Sequence, residues 1–413
     1  MRWLARATLL AAAVSAAMKD TEAEPSRVKR IAITPRPDWK ATAERYGFLF
    51  HTIDGAPYWD ESAYYAFTLE QIERDIETPT EALHHLTLSL MDDIVRSETL
   101  MTKLAVPERY WDWIADSWRQ RQPHLYGRMD LVYDGSAPAK LYELNYDTPT
   151  SVYEAAFFQW IWLEEQQQRG VLSRSADQFN QLQELLVLAF ASIAKTLPRP
   201  FYFSATRHSA EDLGTVAYLQ DCAVQAGVQS DFIALEDIGL SSKGLFTDLK
   251  NKVIGSLFKL YPLENMFTDE YGQYLPGAKL QLIEPPWKAV LSNKGILPLL
   301  WERFPGHPNL LPAFFEENKD AALPPGWVRK PLFSREGANV HIALPNGEHV
   351  HSPGRYTQCP VIRQAFHPLP CFDGAYPLIG SWVVGDIPAG IGIREDTTLI
   401  TRDTSRFVPH VIE

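Results

Sequence analysis

Residues 126–151 read YGRMDLVYDGSAPAKLYELNYDTPTS. Polar and apolar residues alternate through Tyr126–Tyr133 and again through Lys140–Tyr146, with Asp134-Gly135 and Pro138 between the two runs. A period of two on either side of a Gly/Pro turn reads as a pair of antiparallel strands. Successive side chains on a strand point to opposite faces, so Arg128 and Asp130 share one face while Met129 and Leu131 share the other. On the second strand Glu143 and Asn145 share a face and flank the apolar Leu144. Asp, Glu and Asn oxygens are the hard donors that Mg²⁺ takes alongside water and phosphate. An arginine beside them can grip a phosphoryl oxygen through a bidentate bond. The same pattern also suits a wetted hairpin face with a salt bridge.

Outward from this hairpin, Val28–Thr34 reads as a first strand and residues 40–125 read mainly as helices. Thr78-Pro79-Thr80-Glu81 has the form of a capping box with proline at the first helical position, and Leu83, Leu86, Leu90 and Ile94 follow at helical spacing. Tyr110, Trp111, Trp113 and Trp118 belong to a further helix as core aromatics. Residues 153–195 are helical again. Residues 200–290 alternate short apolar runs with helical stretches, the rhythm of a small α/β lobe. Asn293–Glu302 reads as a helix and Pro305–Pro312 as a break. The remainder is strand-rich, with hairpin turn signals at Asn346-Gly347 and Gly385-Asp386. The sum is an α+β architecture with antiparallel sheets over residues 28–413, and residues 291–413 form its last lobe.

The chain of 413 residues has 46% hydrophobic and 22% charged residues, an ordinary globular balance that argues against disorder. A net charge of −12 disfavours a nucleic-acid partner. Three cysteines, Cys222, Cys359 and Cys371, make neither a disulfide framework nor a CxxC pair. Met1–Arg6 carries two arginines and Ala7–Met18 is uncharged. Residues 1–27 therefore read as an extension that is either a secretory signal or an upstream start. No run reaches the length of a transmembrane helix.

Three further constellations carry polar chemistry. Val328 through Val340 has Lys330 at a strand end and the small residues Gly337 and Ala338 in the loop that follows, a form in which backbone amides and a lysine approach phosphate. Lys294 stands at a helix start. Arg394 follows the buried-looking run Gly390–Ile393. GxxxxGK[ST], HExxH, GxSxG and GxGxxG are absent, which disfavours P-loop, zincin, α/β-hydrolase and Rossmann sites. His349 and His351 lie two apart on a strand, a spacing that suits a metal and also a solvated edge.

On Arg128-Met129-Asp130, Glu143 through Ser151, Tyr153 through Trp160, and Lys330 through Asn339, the chain resembles the synthetase domain of glutathionylspermidine synthase, an ATP-grasp ligase, from about Arg30 to the C-terminus. The resemblance implies an ATP-grasp fold in permuted order, with the metal residues before the ATP lysines. It implies Mg²⁺, as two ions, at Asp130, Glu143 and Asn145, and a phosphate-steadying role for Arg128. It implies ATP at Lys294 and Lys330 under a loop of Ser334 to Ala338, with Arg335 reaching the phosphorylated intermediate and Gln364 on the adenine side. Arg394 falls near the glutathione side. Thr148 and Thr150 stand where the family has serines for the thiol peptide, and Glu211 and Asp212 near its acidic amine-binding pair. The expected reaction joins a glutathione-like carboxylate to a polyamine-like amine in the cytoplasm, where ATP is found. The family's N-terminal amidase domain has no counterpart here, with no cysteine before Cys222. A nucleotide- or peptide-binding protein without turnover, or an exported hydrolase using Asp130 and Glu143, are the competing readings.

Overall fold

The computed structural model describes residues 27–53, 55–317 and 325–413. The signal-like segment read in residues 1–27 lies outside them except for Arg27. Five antiparallel strands build a central sheet in the order Arg406–Val408, Ile387–Asp396, Tyr376–Val384, Tyr126–Val132, Lys140–Asn145. In the last pair Arg128 stands opposite Asn145 and Asp130 opposite Glu143. Opposed residues share a face, so the register gathers all four polar side chains on one side. A bulge after Asp130 then brings Leu131 opposite Leu141. Met129, Leu131, Leu141 and Leu144 are buried in the core beneath.

A second antiparallel sheet runs Ala313–Phe315, Val361–Ala365, Trp327–Pro331, His341–Ala343, His349–His351. Its last hairpin turns through Asn346-Gly347, and the long central hairpin turns through Gly385-Asp386. A parallel sheet, Gln281–Ile283, Ser256–Lys259, Phe201–Ser204 and Asp231–Phe232, lies in sequence between the Lys140–Asn145 strand and the second antiparallel sheet. The helix Ala210–Gln225 connects Phe201–Ser204 to Asp231–Phe232 and is capped by Ser209, whose hydroxyl accepts the Asp212 amide.

Two readings need correction. The strand Ala63–Phe67 lies inside the stretch that reads as helical, where it pairs with Lys29–Ala32 and His410–Ile412. All five of its residues are buried, and an unbroken apolar run of that length carries no period that separates strand from helix. Nor is there a capping box at Thr78. The helix Thr78–Ser89 continues from a π-helical turn, Gln71–Glu77. The Thr78 and Thr80 hydroxyls donate back to the carbonyls of Glu73 and Ile76 at 2.7 and 2.6 Å, a back-bonding habit of helical threonines. Tyr110 is buried, whereas Trp111, Trp113 and Trp118 pack half-buried against the core.

Two ion pairs with almost no exposure join the layers. Asp147, just past the Lys140–Asn145 strand, pairs with Lys259 of the parallel sheet, and both side chains are fully buried. Its second oxygen accepts the Leu263 amide at 2.7 Å. Glu284 pairs with Lys288 at 3.2 Å and accepts the Leu125 and Tyr126 amides, each at 3.1 Å. Removing one partner of a buried pair strands the other charge. Lys259→Met is therefore expected to cost about 3–5 kcal/mol in urea unfolding, and the double variant Asp147→Leu/Lys259→Met to recover most of that loss.

Candidate active site

The polar face of the central sheet floors a cavity of about 410 Å³. Arg128 grips Asp130 with two bonds, Nε to Oδ1 at 2.7 Å and Nη2 to Oδ2 at 3.2 Å, and its Nη1 donates to the Thr150 carbonyl at 2.8 Å. Asn145 donates to Asp130 Oδ2 at 3.0 Å. Opposite Asp130 on the neighbouring strand stands Gly380. A Cβ there would lie 2.7 Å from Arg128 Cδ, so a bare backbone is what lets the guanidinium lie across the sheet.

A narrower cavity of about 90 Å³ adjoins the first, and Glu143, Glu336 and Gly337 line both. Lys294 pairs with Glu143 at 3.3 Å and donates to the Ser334 carbonyl at 2.5 Å. Lys330 donates to Gln364 Oε1 at 2.8 Å and to the Tyr142 carbonyl at 3.1 Å. Both lysines are buried. Val328, Ile342 and Leu399 add apolar wall. Gly337 holds φ +68°, and a Cβ on it would meet Ile400 Cγ2 at 2.5 Å, which confines this turn to glycine.

Burial pushes the Asp130 carboxyl up, against the pull of Arg128. Burial acts on Glu143 in the same direction, but Lys294 and Lys330 outweigh it and hold that carboxyl below its usual range. Burial brings the Lys330 ammonium down to about 8, with Glu143 opposing. Glu211 and Asp212 are both raised, first by burial, with Arg394 pulling Glu211 back and Ser209 doing so for Asp212. Burial makes these charges costly to desolvate and each leans on an opposite charge beside it; perturbed groups gathered in a cleft mark a candidate functional site.

The expected residues converge. Arg128, Asp130, Glu143, Asn145, Thr148, Thr150, Glu211, Asp212, Arg335, Gly337 and Arg394 line the wide cavity, and Lys294, Lys330, Ser334 and Gln364 line the narrow one. Ala338 stands apart: its amide donates to the Arg335 carbonyl at 2.9 Å and closes the turn. Asp130, Glu143 and Asn145 present hard oxygens on one face, a donor set that fits Mg²⁺ once phosphate and water complete the shell. His349 and His351 occupy an edge strand and are both exposed. The sequence pattern missed the apolar walls of the narrow cavity, which carry no motif. It also missed Tyr261, Arg402 and Asp403 of the wide one, which lie in irregular segments, and Asn265, which lies on the four-residue helix Leu263–Met266, too short to show a period.

Residues 30–413 match the model of the family described as glutathionylspermidine synthase preATP-grasp. The chain belongs to this family. It is 41% identical to a Haemophilus influenzae protein named "Putative acid--amine ligase" over 93% of this chain and 99% of that protein. It is 27% identical to the trypanothione synthetase of Crithidia fasciculata over 79% of this chain and 53% of that protein. It is 25% identical to the bifunctional glutathionylspermidine synthetase/amidase of Escherichia coli over 86% of this chain and 60% of that protein. The chain thus spans only part of the length of the latter two. A glutathione synthetase-like effector from Globodera pallida, in its apo form, superposes with a TM-score of 0.56 at 11% identity, over 91% of this chain and 96% of that one, a likeness of fold. The relatives are ligases by name, and the fold is mixed α/β with antiparallel sheets.

The loop that carries Gly337 is tied down by Arg335, which pairs with Glu264 at 2.7 Å and donates to Thr148 Oγ1 at 2.8 Å. Both partners are partly exposed, so the pair is worth on the order of 1 kcal/mol. Glu264→Gln is expected to speed trypsin cleavage after Arg335 about fivefold, in step with the population of the open loop. An unchanged cleavage rate would mean that Glu264 does not hold the loop.

Proposed function

We propose that the chain is an ATP-dependent carboxylate–amine ligase that forms an amide bond through an acyl phosphate. The observation that carries this reading is the joining of two cavities at Glu143 and Gly337: a slot with two buried lysines beside a wide cleft lined by carboxylates and arginines. The oxygen donors precede the lysines along the chain, the permuted order of ATP-grasp ligases implied by the resemblance. The slot takes ATP. Lys294 and Lys330 hold its phosphates, Gln364 and the apolar wall its adenine side, and the Ser334–Ala338 turn covers it. Asp130, Glu143 and Asn145 would hold Mg²⁺, as two ions, which neutralises phosphate charge when bound.

In the wide cleft a carboxylate oxygen of the acid attacks the γ-phosphorus of ATP and ADP departs. The amine nitrogen then attacks the acyl carbon, phosphate departs, and the amine proton passes to solvent. Arg128 and Arg335 meet the charge that gathers on the transferred phosphoryl group. Thr148, Thr150 and Arg394 face the acid, a glutathione-like peptide. Glu211 and Asp212 face the amine, a polyamine-like cation. The protein's contribution is to position and to neutralise, and no side-chain nucleophile is needed. We place this chemistry in the cytoplasm, where ATP is abundant; no helix among the described residues is long and apolar enough to cross a membrane. A hydrolase built on Asp130 and Glu143 leaves Lys294, Lys330 and the Gly337 turn without a task.

The test is ADP release by the purified protein with Mg²⁺-ATP and glutathione, with and without spermidine. Spermidine-dependent release matched by a condensed product is expected. ATP binding without release, with these or other carboxylate–amine pairs, would favour a binding protein that does not turn over. Asp130→Ala and Lys330→Ala should each lower turnover by about two orders of magnitude or more while circular dichroism stays unchanged. Normal turnover in both variants would overturn the site assignment.

A further inference from the structure

Behind the wall of the wide cavity lies a polar layer that has no task in the reaction above. Glu154 opens a π-helical turn, Glu154–Phe158, and is fully buried. Its Oε1 accepts the Tyr58 hydroxyl at 2.5 Å, while its Oε2 takes no hydrogen bond among the described residues. The same Tyr58 oxygen lies 3.1 Å from Ser151 Oγ. Ser151 Oγ in turn accepts Arg394 Nη1 at 3.3 Å. The Arg394 guanidinium lies over the Tyr58 ring, 4.9 Å from its centroid. Ser151 and Arg394 line the cavity, whereas Tyr58 and Glu154 stand behind them. Ser151 holds φ +71°, a left-handed conformation uncommon for serine that the surrounding structure must enforce.

The polarity of this row follows from which group must accept. An ionised carboxylate only accepts, so the Tyr58 hydroxyl donates to Glu154 and the Ser151 hydroxyl donates to Tyr58. The Ser151 lone pairs are then left for Arg394. A protonated Glu154 can donate to Tyr58 instead. Tyr58 then donates to Ser151 and occupies one of its two lone pairs, so Arg394 is left a single lone pair on Ser151 where it had two.

The Ser405, Arg402 and Asp403 carbonyls hold Nε and Nη2 of Arg394, which leaves Nη1 to Ser151. We propose that Glu154 is a positioning residue for the acid substrate: through Tyr58 and Ser151 it sets the direction of a hydrogen-bond chain that orients Arg394 Nη1 for the substrate's unreacted carboxylate. The nature of that substrate rests on the ligase reading. The groups that face Glu154 are Tyr58, Tyr153, Glu211 and Arg394. Burial pushes its carboxyl up to about 7 and Glu211 adds to the rise, with Tyr58 and Arg394 opposing. The chain therefore changes direction near neutral pH. A carboxyl raised from 4.5 to about 7 on folding binds a proton in the folded state that the unfolded chain has lost. Its contribution to stability thus falls as pH rises through that window. Glu154→Gln removes this slope.

Infrared difference spectra, wild type minus Glu154→Gln, are expected to show a protonated-carboxyl band that disappears with a midpoint near 7. Glutathione binding to the wild type, followed by calorimetry, should tighten about fivefold between pH of about 6 and 8, the worth of one well-placed hydrogen bond. Glu154→Gln and Tyr58→Phe should bind at the weak level with a flat profile, and kcat at saturating glutathione should change less than KM. No titrating band, or variants that keep the wild-type pH profile, would overturn the proposal. A titrating band without glutathione binding at any pH would instead support the chain and count against glutathione as the substrate.

Discussion

Both oxygens of the Asp147 carboxylate are engaged, one by the Lys259 ammonium and one by the Leu263 amide, and the pair is sealed from water. Asp147 follows the strand that carries Glu143 and Asn145, and it precedes Thr148 and Thr150. It therefore fixes where the polar face of the central sheet ends and where the cleft wall begins. Leu263 opens the short helix Leu263–Met266 that carries Glu264. Glu264 holds Arg335, and Arg335 reaches back to Thr148, one residue from the start. This ring of contacts closes through the central sheet, the helix Leu263–Met266 and the loop that carries Arg335. Its geometry is rigid because a buried ion pair tolerates little displacement before the cost of an unpaired charge is felt.

The same physics explains the density of charge around the cavities. Arg128 neutralises Asp130, Lys294 neutralises Glu143, and Arg394 faces Glu211. Each pair is held on a strand or a helix end, so it cannot relax by swinging into solvent. Charges fixed in this way meet a ligand without first reorganising, which is how preorganised sites lower the barrier to charge movement. The π-helical turn at Glu154–Phe158 contributes by setting a carboxyl into the layer behind the wall, and turns of this type gather at functional sites.

Much of this was legible in the sequence because it rests on the period-two pattern of one hairpin. Alternation placed Arg128 with Asp130 on one strand and Glu143 with Asn145 on the next, and the register seen in the structure brings the two pairs to one face. The loop after Lys330 was legible from its small residues, and the hairpin turns from Asn346-Gly347 and Gly385-Asp386. Ala63–Phe67 was not, because a strand buried on both faces shows no alternation. The threonines at 78 and 80 were misleading because a cap is defined by what precedes the helix, and here another helical turn precedes it. Tyr58 and Glu154 were invisible for a different reason. They lie 96 positions apart, and no local pattern records a contact of that span.

The central sheet pairs residues 126–131 with residues 379–384, and Arg30 reaches Glu395 across 365 positions. Contacts this distant in sequence slow folding, since long loops must close before any of them is rewarded. The strand bearing Asp130 thus finds its neighbour Gly380 from the far end of the chain. The wide cavity is lined by residues from Arg128 to Phe407, so no short segment of the chain carries it. A molecule bound there stabilises the assembled fold as a unit by mass action, so its occupancy reports the completion of folding.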